Sequence, residues 1–417
     1  MVRCNEIRRQ LMDLPMDMLV DILLRLPVES LRHIRRVCKT LLNTIDSLSF
    51  IRQHTLLLIA GNNHVVHRVP QLMCLAQTHP PSDGEEITIF ATLQSLRYDG
   101  GTALTKGEFT YSTSSPSPAN YMINFVFYNL FCMDWEDGHC LLINPLLKQV
   151  LTLPTDNIRQ LTKYGLNCEV YFWYGMGFDD ITNTYKIVRV SRFANKENYR
   201  DIRGRLVHIL VLGTNSWREI PSLPPSGLPR LYAVCAHGDM HWLIRRMTGG
   251  VIKGHIISFD FKTEEFHWTP TPPTLQRSNM NSTSHLLTLR GSMAIVETFP
   301  LAEGGMKVEI WVMKNYAKKE WAREYSINVD MRPEHELNYG TCGEWEHGIF
   351  FNDHYIFCLK SENMTRLFLD LRSDSVNTAI CPLENELLVN IKSYTGSLIS
   401  LKDFGTSGFS STDEPSS

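Results

Sequence analysis

From Leu14 to Ile45 the long aliphatic side chains recur at helical spacing. Leu19, Ile22, Leu23 and Leu26 stand at i, i+3, i+4 and i+7, one stripe of a 3.6-residue helix, while Asp17, Asp21 and Arg25 fall off it. Pro15 suits the first helical turn, where a missing N–H costs nothing, and Pro27 cannot continue the helix. Ser30 reads as the N-cap of a second helix, in which Leu31, Ile34, Val37, Cys38, Leu41, Leu42 and Ile45 repeat the spacing. Arg32, His33, Arg35, Arg36 and Lys39 occupy its polar side. The pattern predicts two amphipathic helices of about three turns each. A unit of roughly 40 residues buries two such stripes poorly by itself, so they need either the rest of the chain or a partner.

From about residue 55 onward the period changes to short apolar alternations broken by Gly, Pro, Asn, Asp and Thr, the mark of many short strands. One phrase recurs: "LLINPLLKQVLTLP" (141–154), "ILVLGTNSWREIPSLP" (209–224), "IISFDFKTEEFHWTP" (256–270), "EIWVMKNYAKKEWAREY" (309–325) and "RLFLDLRSDSVNTAI" (366–380). Each is an apolar strand, a polar turn and a second strand, and so predicts a β-hairpin. Trp217, Phe266, Trp321 and Val376, the first large residues after four of these turns, recur near the roughly 50-residue period of kelch-like propeller blades. A blade needs about four strands. The segments 175–190, 231–244, 285–297 and 341–354 can supply the others. The expected architecture is a small all-α unit at 11–52, then a large all-β domain at 55–403, most simply a kelch-like β-propeller of about six blades. A distorted pair of β-sandwiches is the alternative. Residues 1–10 are expected to be flexible, "YSTSSPSPAN" (111–120) to be a surface loop and 404–417 to be a disordered tail.

Composition adds mostly exclusions. Lys+Arg 41 against Asp+Glu 44 leaves no basic excess for nucleic acid, with 43% of residues hydrophobic and 20% charged. The N-terminal stretch has no apolar run of signal-peptide length, and "YMINFVFYNLFCM" is too short and too interrupted to span a bilayer. A soluble protein of the cytoplasm and/or nucleus is expected. The ten cysteines include no C-x-x-C pair, which argues against a zinc site or a disulfide framework.

No local signature of catalysis is present: no G-x-S-x-G, no Walker-type loop, no H-E-x-x-H and no G-x-G-x-x-G at a strand–helix junction. Neither His64, His67 and Cys74 nor His335, Cys342 and His347 have the paired spacing of a metal site, so no metal and no cofactor is expected. Dispersed residues converging in a propeller channel remain a route to catalysis. Trp217, Trp242, Trp268, Trp311 and Trp321 lie in strand phrases and read as packing between blades. Tyr171, Trp173 and Tyr174 form a denser aromatic run, and Trp135 and Trp345 stand among acidic residues and Gly. These five are the candidate target-binding residues.

The N-terminal stretch resembles the F-box of plants. Leu14-Pro15, the run Leu19 to Pro27, Val28-Glu29-Ser30-Leu31 and Val37-Cys38-Lys39 follow the register LPxDLLxxILxRLPVxSLxxxxxVCKxWxxLIxxPxF. Three departures from it matter: Leu41 stands for Trp, Thr44 for Leu and Leu48 for Pro. Farther on, "GMGFDDITNTYKIVRV", "LGTNSWREI", "GDMHWLI", "IISFDFKTEEF" and "EIWVMKNYAKKEWAREYSI" resemble, in order, the F-box-associated interaction domain over about residues 130–330. The layout is similar to that of S-locus F-box proteins.

The resemblance implies a Skp-type adaptor as partner, reached through Leu14, Pro15, Leu19, Ile22, Leu23, Leu26, Pro27, Leu31, Val37, Cys38 and Leu41. It further implies a cullin and a RING subunit beyond the adaptor, and a protein target held by the β domain for ubiquitination. Such a chain is a substrate receptor and not itself an enzyme. Leu41 carries less area than Trp, so weaker adaptor binding is one expectation. A decayed F-box acting outside a ligase, a glycan-binding propeller and a catalytic propeller are the rival readings.

Overall fold

The computed structural model describes residues 14–60, 71–77, 87–95, 104–113, 121–128, 130–135, 139–155, 168–198, 202–226, 233–248, 251–276, 283–289, 291–301, 306–329, 349–352, 355–359, 365–370, 375–380, 387–393 and 396–405. The expected flexible N-terminus lies outside them.

The N-terminal unit has four helices where the periodicity predicts two: α1 (Met16–Leu24), α2 (Val28–Ile34), α3 (Lys39–Ile45) and α4 (Leu48–Ile59). Pro15 and Pro27 take the N-cap positions of α1 and α2, which places Ser30 inside α2. The long second helix breaks because Arg36 and Val37 close tighter bonds to His33 and Ile34, three residues back, and Cys38 turns fully extended before α3. The fourth helix begins at a true cap: the Ser47 hydroxyl accepts from the Phe50 N–H at 3.2 Å. Phe50, Ile51, His54, Thr55 and Leu58 are its buried side, so the helical unit runs past the expected boundary at 52. None of the described helices is long and apolar enough to cross a membrane.

Among the described residues, 24 strands form six four-stranded antiparallel sheets. β1 (Gln71–Gln77), β2 (Ile87–Ser95) and β3 (Leu104–Thr113) share one sheet with the last strand, β24 (Leu387–Ser393). Residues 111–113 are thus strand and not loop. The second sheet holds β4 (Tyr121–Phe127), β5 (Leu130–Trp135), β6 (Cys140–Asn144) and β7 (Gln149–Thr152). The third holds β8 (Cys168–Asp179), β9 (Thr184–Asn195), β10 (Ile202–Val211) and β11 (Arg218–Ile220). The fourth holds β12 (Ala233–Ala236), β13 (Asp239–Thr248), β14 (Val251–Asp260) and β15 (Glu265–Thr269). The fifth holds β16 (Thr283–Leu289), β17 (Ser292–Pro300), β18 (Met306–Asn315) and β19 (Glu320–Val329). The last holds β20 (Ile349–Asn352), β21 (Tyr355–Leu359), β22 (Thr365–Asp370) and β23 (Ser375–Ile380). Contacts pass from β4 to β8, β12, β16, β20 and β24, so the leading strand of each sheet lines the middle of a ring. The architecture is a β-propeller, and β24 joins its two ends.

The five repeated phrases are the outer hairpins of five consecutive sheets, and three of their turns share one device. Asn144 and Asp260 each accept two backbone N–H groups with Oδ1 and Asn315 accepts one, closing the turn. Lys148, Glu264 and Lys319, four residues on, take left-handed backbone conformations. Asp179 and Asn183 repeat the device between β8 and β9. Between sheets, the Trp217 indole donates to the Pro154 carbonyl at 2.7 Å and the Trp321 indole to that of Pro270 at 2.8 Å. Trp242 is fully buried, whereas Trp268 is 44% exposed and lies edge-on to His255 instead of packing between sheets.

The helices are not a separate body. Leu19, Leu23, Leu31, Leu41, Ile45 and Phe50 form one continuous buried cluster with Phe127, Leu146, Tyr185, Leu212, Leu398 and Leu401 of the β domain. Tyr185 is its node: it packs on Phe127, Phe178 and Phe404, and its hydroxyl lies 2.9 Å from Thr55 Oγ1 in α4. The Thr55 hydroxyl proton is already given to the Ile51 carbonyl, so Tyr185 is the donor. Burial pushes its phenol up to about 12. The described residues run to Gly405, so the expected tail lies outside them but for its first two residues. Leu401–Phe404 form a 3-10 turn, and the Asn144 amide donates to the carbonyls of Ser397 and Ile399.

His54, buried in α4, has its imidazole lowered by desolvation to about 4. A depressed histidine stabilises fully above its unfolded value of 6.5 and loses that stability as pH falls toward 4. The loss approaches about 3 kcal/mol. Thermal melts of His54→Gln at pH 7 and pH 4.5 are expected to lie closer together than those of the wild type. An unchanged gap would remove His54 as a source of acid sensitivity.

Candidate functional site

The helices sit on one end of the propeller. Two direct contacts among the described residues place them, both where the first and second strands of a sheet turn: Thr55 on Tyr185 and the Ile59 methyl beside Gly238. Leu146 and Leu212, at third-to-fourth turns, belong to the same buried cluster as the helices. The opposite end carries the starts of the leading strands and the second-to-third connections, and it faces away from the helices.

Of the residues implied to bind an adaptor, Leu19, Leu23, Leu31 and Leu41 are 2% exposed or less and belong to the chain's own core. These four are corrected from contact residues to interior ones. The Leu41 departure therefore trims the internal packing of the helices and not their surface. Leu14, Leu26, Pro27 and Cys38 are half-buried, and Pro15 is exposed. Ile22 and Val37 keep 40% and 48% of their surface. The periodicity missed their companions: Met16, Met18 and Leu48 are each at least half exposed. Pro15, Met18 and Ile22 stand at i, i+3 and i+7, a second apolar stripe on the outer side of α1 that the spacing could have revealed. Leu48 occupies the first position of α4, where proline is favoured but not required, and Thr44 donates back to the Thr40 carbonyl at 2.9 Å.

Beside this surface lies an open pocket of about 650 Å³ lined by Arg32, Arg35, Arg36, Cys38, Lys39 and Leu42. Arg35 meets Asp46 at 2.5 Å.

Among the candidate target residues, Trp173 and Tyr174 are 5% and 3% exposed, buried in the core, and present no face to a partner. Burial also raises the Tyr174 phenol. Tyr171, near the start of β8 and so on the end away from the helices, is half-buried. Its hydroxyl donates to Glu169 at 2.6 Å, and the Arg192 guanidinium lies 4.9 Å from its ring centre. Trp135 closes β5 opposite Tyr121, also at that end. Trp345 lies outside the described residues.

Two polar constellations in the propeller are structural locks. Lys186 reaches Asp179 at 2.8 Å, Glu264 at 2.9 Å and the Phe261 carbonyl at 3.0 Å, and Arg218 holds Glu264 from the other side. Gly177 permits this approach, since a Cβ there would lie 2.1 Å from the Phe261 ring. The stretch "GMGFDDITNTYKIV" thus joins the third sheet to the fourth, and through Tyr185 to the helices. The second lock joins the fourth and fifth sheets. Tyr316 donates to Asp239, stacks on His237 at 4.5 Å and carries Lys319 above its ring. Burial raises Asp239 to about 7 and lowers His237 to about 4. Each of these groups is engaged by its neighbours. Among the described residues no cluster of His, Cys, Asp or Glu could hold a metal.

Comparison with known proteins agrees with this geometry. Residues 82–368 match the F-box associated beta propeller domain and residues 11–53 the F-box domain. The F-box protein CPR1 of Arabidopsis thaliana is 24% identical over 334 residues, covering 75% of this chain and 73% of its own. The F-box/kelch-repeat protein At4g19930 of the same plant is 22% identical over 326 residues, covering 75% and 68%. Among solved structures, apo AztD from Citrobacter koseri covers 79% of this chain and 99% of its own at TM-score 0.36 and 10% identity, a likeness too distant to bear on function. An F-box implies binding of a Skp-type adaptor. With an F-box at its start and an associated propeller over most of its length, the chain belongs to the F-box proteins of the F-box-associated beta-propeller family.

Proposed function

We propose that this protein is the target-binding subunit of a Skp-cullin-F-box ubiquitin ligase, working in the cytoplasm, the nucleus or both. The adaptor covers Pro15, Met18, Ile22 and Val37, and through it the chain meets a cullin and a RING subunit. The propeller holds a protein target on the end away from the helices, where Tyr171 and Trp135 stand. The chain performs no chemistry and takes no cofactor. It keeps a target lysine near a ubiquitin thioester at high effective concentration. The observation that carries this reading is the apolar surface left open on short helices whose other side is fully packed: Met18 is 55% exposed and Ile22 40%.

The test is co-purification of the full-length chain with a plant Skp-type adaptor and cullin. A stoichiometric complex with the wild type, lost on Ile22→Asp, is expected. Folded wild-type protein that brings down neither partner would refute the reading.

A further inference from the structure

The pocket at the α2–α3 junction holds more positive charge than the helical unit answers. Arg32, Arg35, Arg36 and Lys39 all line it, and among the described residues only Arg35 has a carboxylate partner, Asp46. Its remaining lining is Cys38 and Leu42, so its floor is partly apolar. Val37, which is 48% exposed, stands in the chain between Arg36 and Cys38, two lining residues. Apolar and basic groups here belong to one surface.

That juxtaposition constrains whatever covers Val37. A partner closing over this surface with apolar or basic groups would strip water from three cations that have no carboxylate partner among the described residues, and desolvating an unpaired charge is costly. Complementary carboxylates turn that cost into steering and register. Guanidinium forks at Arg32 and Arg36 suit carboxylates in bidentate geometry. We propose that the pocket of Arg32, Arg36 and Lys39 receives a carboxylate-rich segment of the adaptor, a second contact beside the apolar stripe. This rests on the adaptor reading given above. The pocket sets association rate and salt sensitivity, while the apolar stripe supplies the bulk of the affinity.

The experiment measures adaptor affinity by calorimetry at 50 and 500 mM salt, about a threefold change in Debye length. It compares full-length wild type, the triple variant Arg32→Ser/Arg36→Ser/Lys39→Ser and Ile22→Asp. Arg35 is kept because it pairs with Asp46. The wild type is expected to weaken about tenfold at high salt. The triple variant should bind about tenfold or more weakly at low salt and lose most of the salt dependence. A hexaglutamate peptide should compete with adaptor for the wild type and not for the variant. A triple variant with wild-type affinity and salt response, beside an Ile22→Asp variant that no longer binds, would overturn the pocket assignment and leave the adaptor reading standing. No binding by folded wild type would sink both. Competition by pyrophosphate but not by hexaglutamate would assign the pocket to a phosphate ligand and likewise overturn the proposal.

Discussion

Deleting residues 387–417 is expected to abolish cooperative folding, whereas deleting 406–417 alone is expected to leave the melting temperature unchanged. The first deletion removes β24, the strand through which the last part of the chain completes the first sheet against β1. It also removes the segment after it, where Leu398, Ile399 and Leu401 are buried against both the second sheet and the helices. Three buried aliphatic side chains contribute about 5–9 kcal/mol at the usual value per side chain. That alone is comparable with the whole stability of an ordinary domain, about 5–15 kcal/mol. Asn144, which donates to the Ser397 and Ile399 carbonyls, loses both partners. Scanning calorimetry on the two deletions decides the matter. A sharp transition in the longer deletion would mean that the ring does not depend on its terminal strand.

Lys186→Met is expected to destabilise the protein by about 3–5 kcal/mol, the cost of leaving a buried carboxylate without its partner. Asp179 is 2% exposed and Lys186 7%. Burial pushes the Asp179 carboxyl up, but the lysine and the Thr182 and Ile181 hydrogen bonds outweigh it and hold the group near 2, against an ordinary value of 3.8. A depressed carboxyl stabilises above its unfolded value, and that stability fades as pH falls through about 4 toward 2. Lys186→Met removes much of this stabilisation at neutral pH. Urea denaturation at pH 7 and pH 3 is therefore expected to separate wild type and variant widely at the first pH and less at the second. A variant as stable as wild type at pH 7 would show that the third and fourth sheets do not lean on this ion pair.

The legible parts of the sequence were those where one local rule had no competitor. The hairpin phrases owe their clarity to Asn144, Asp260 and Asn315, whose side chains close the turns on backbone groups a few residues away. The residues of the first sheet carry no such phrase although their outer hairpin, β2–β3, is as local in sequence as the others, and the leading strand, β24, comes from the opposite end of the chain, where no local spacing joins it to β1. Helical periodicity found the inner side of α1 but treated Ile22 as equivalent to Leu23, although a helix rotation of one residue separates solvent from core. It ran α2 and α3 together, since spacing alone does not see the extended backbone at Cys38. It also overlooked α4, despite Ser47 as a cap and a buried side continuing through Leu58.

Function divided along the same line. Motif order indicated a helical adaptor-binding unit and a propeller, but the dense aromatic run at 171–174 reads alike whether its rings face solvent or core. Only the β8 register, which sends Trp173 and Tyr174 into two different clusters, separates them from Tyr171. The locks around Lys186 and Tyr316 were invisible for a different reason. Their partners lie in neighbouring sheets, remote in sequence, and no local spacing joins them.

The most direct measurement is the affinity of a plant Skp-type adaptor for the full-length chain beside Ile22→Asp, with melting temperatures recorded for both. Ile22 is 40% exposed, so an aspartate there leaves the core intact while placing a charge in the middle of the apolar stripe. The predicted result is an unchanged melting temperature with affinity reduced at least about a hundredfold, as for a central interface residue. Equal affinity for the two proteins, both folded, would contradict the assignment of this surface to the adaptor.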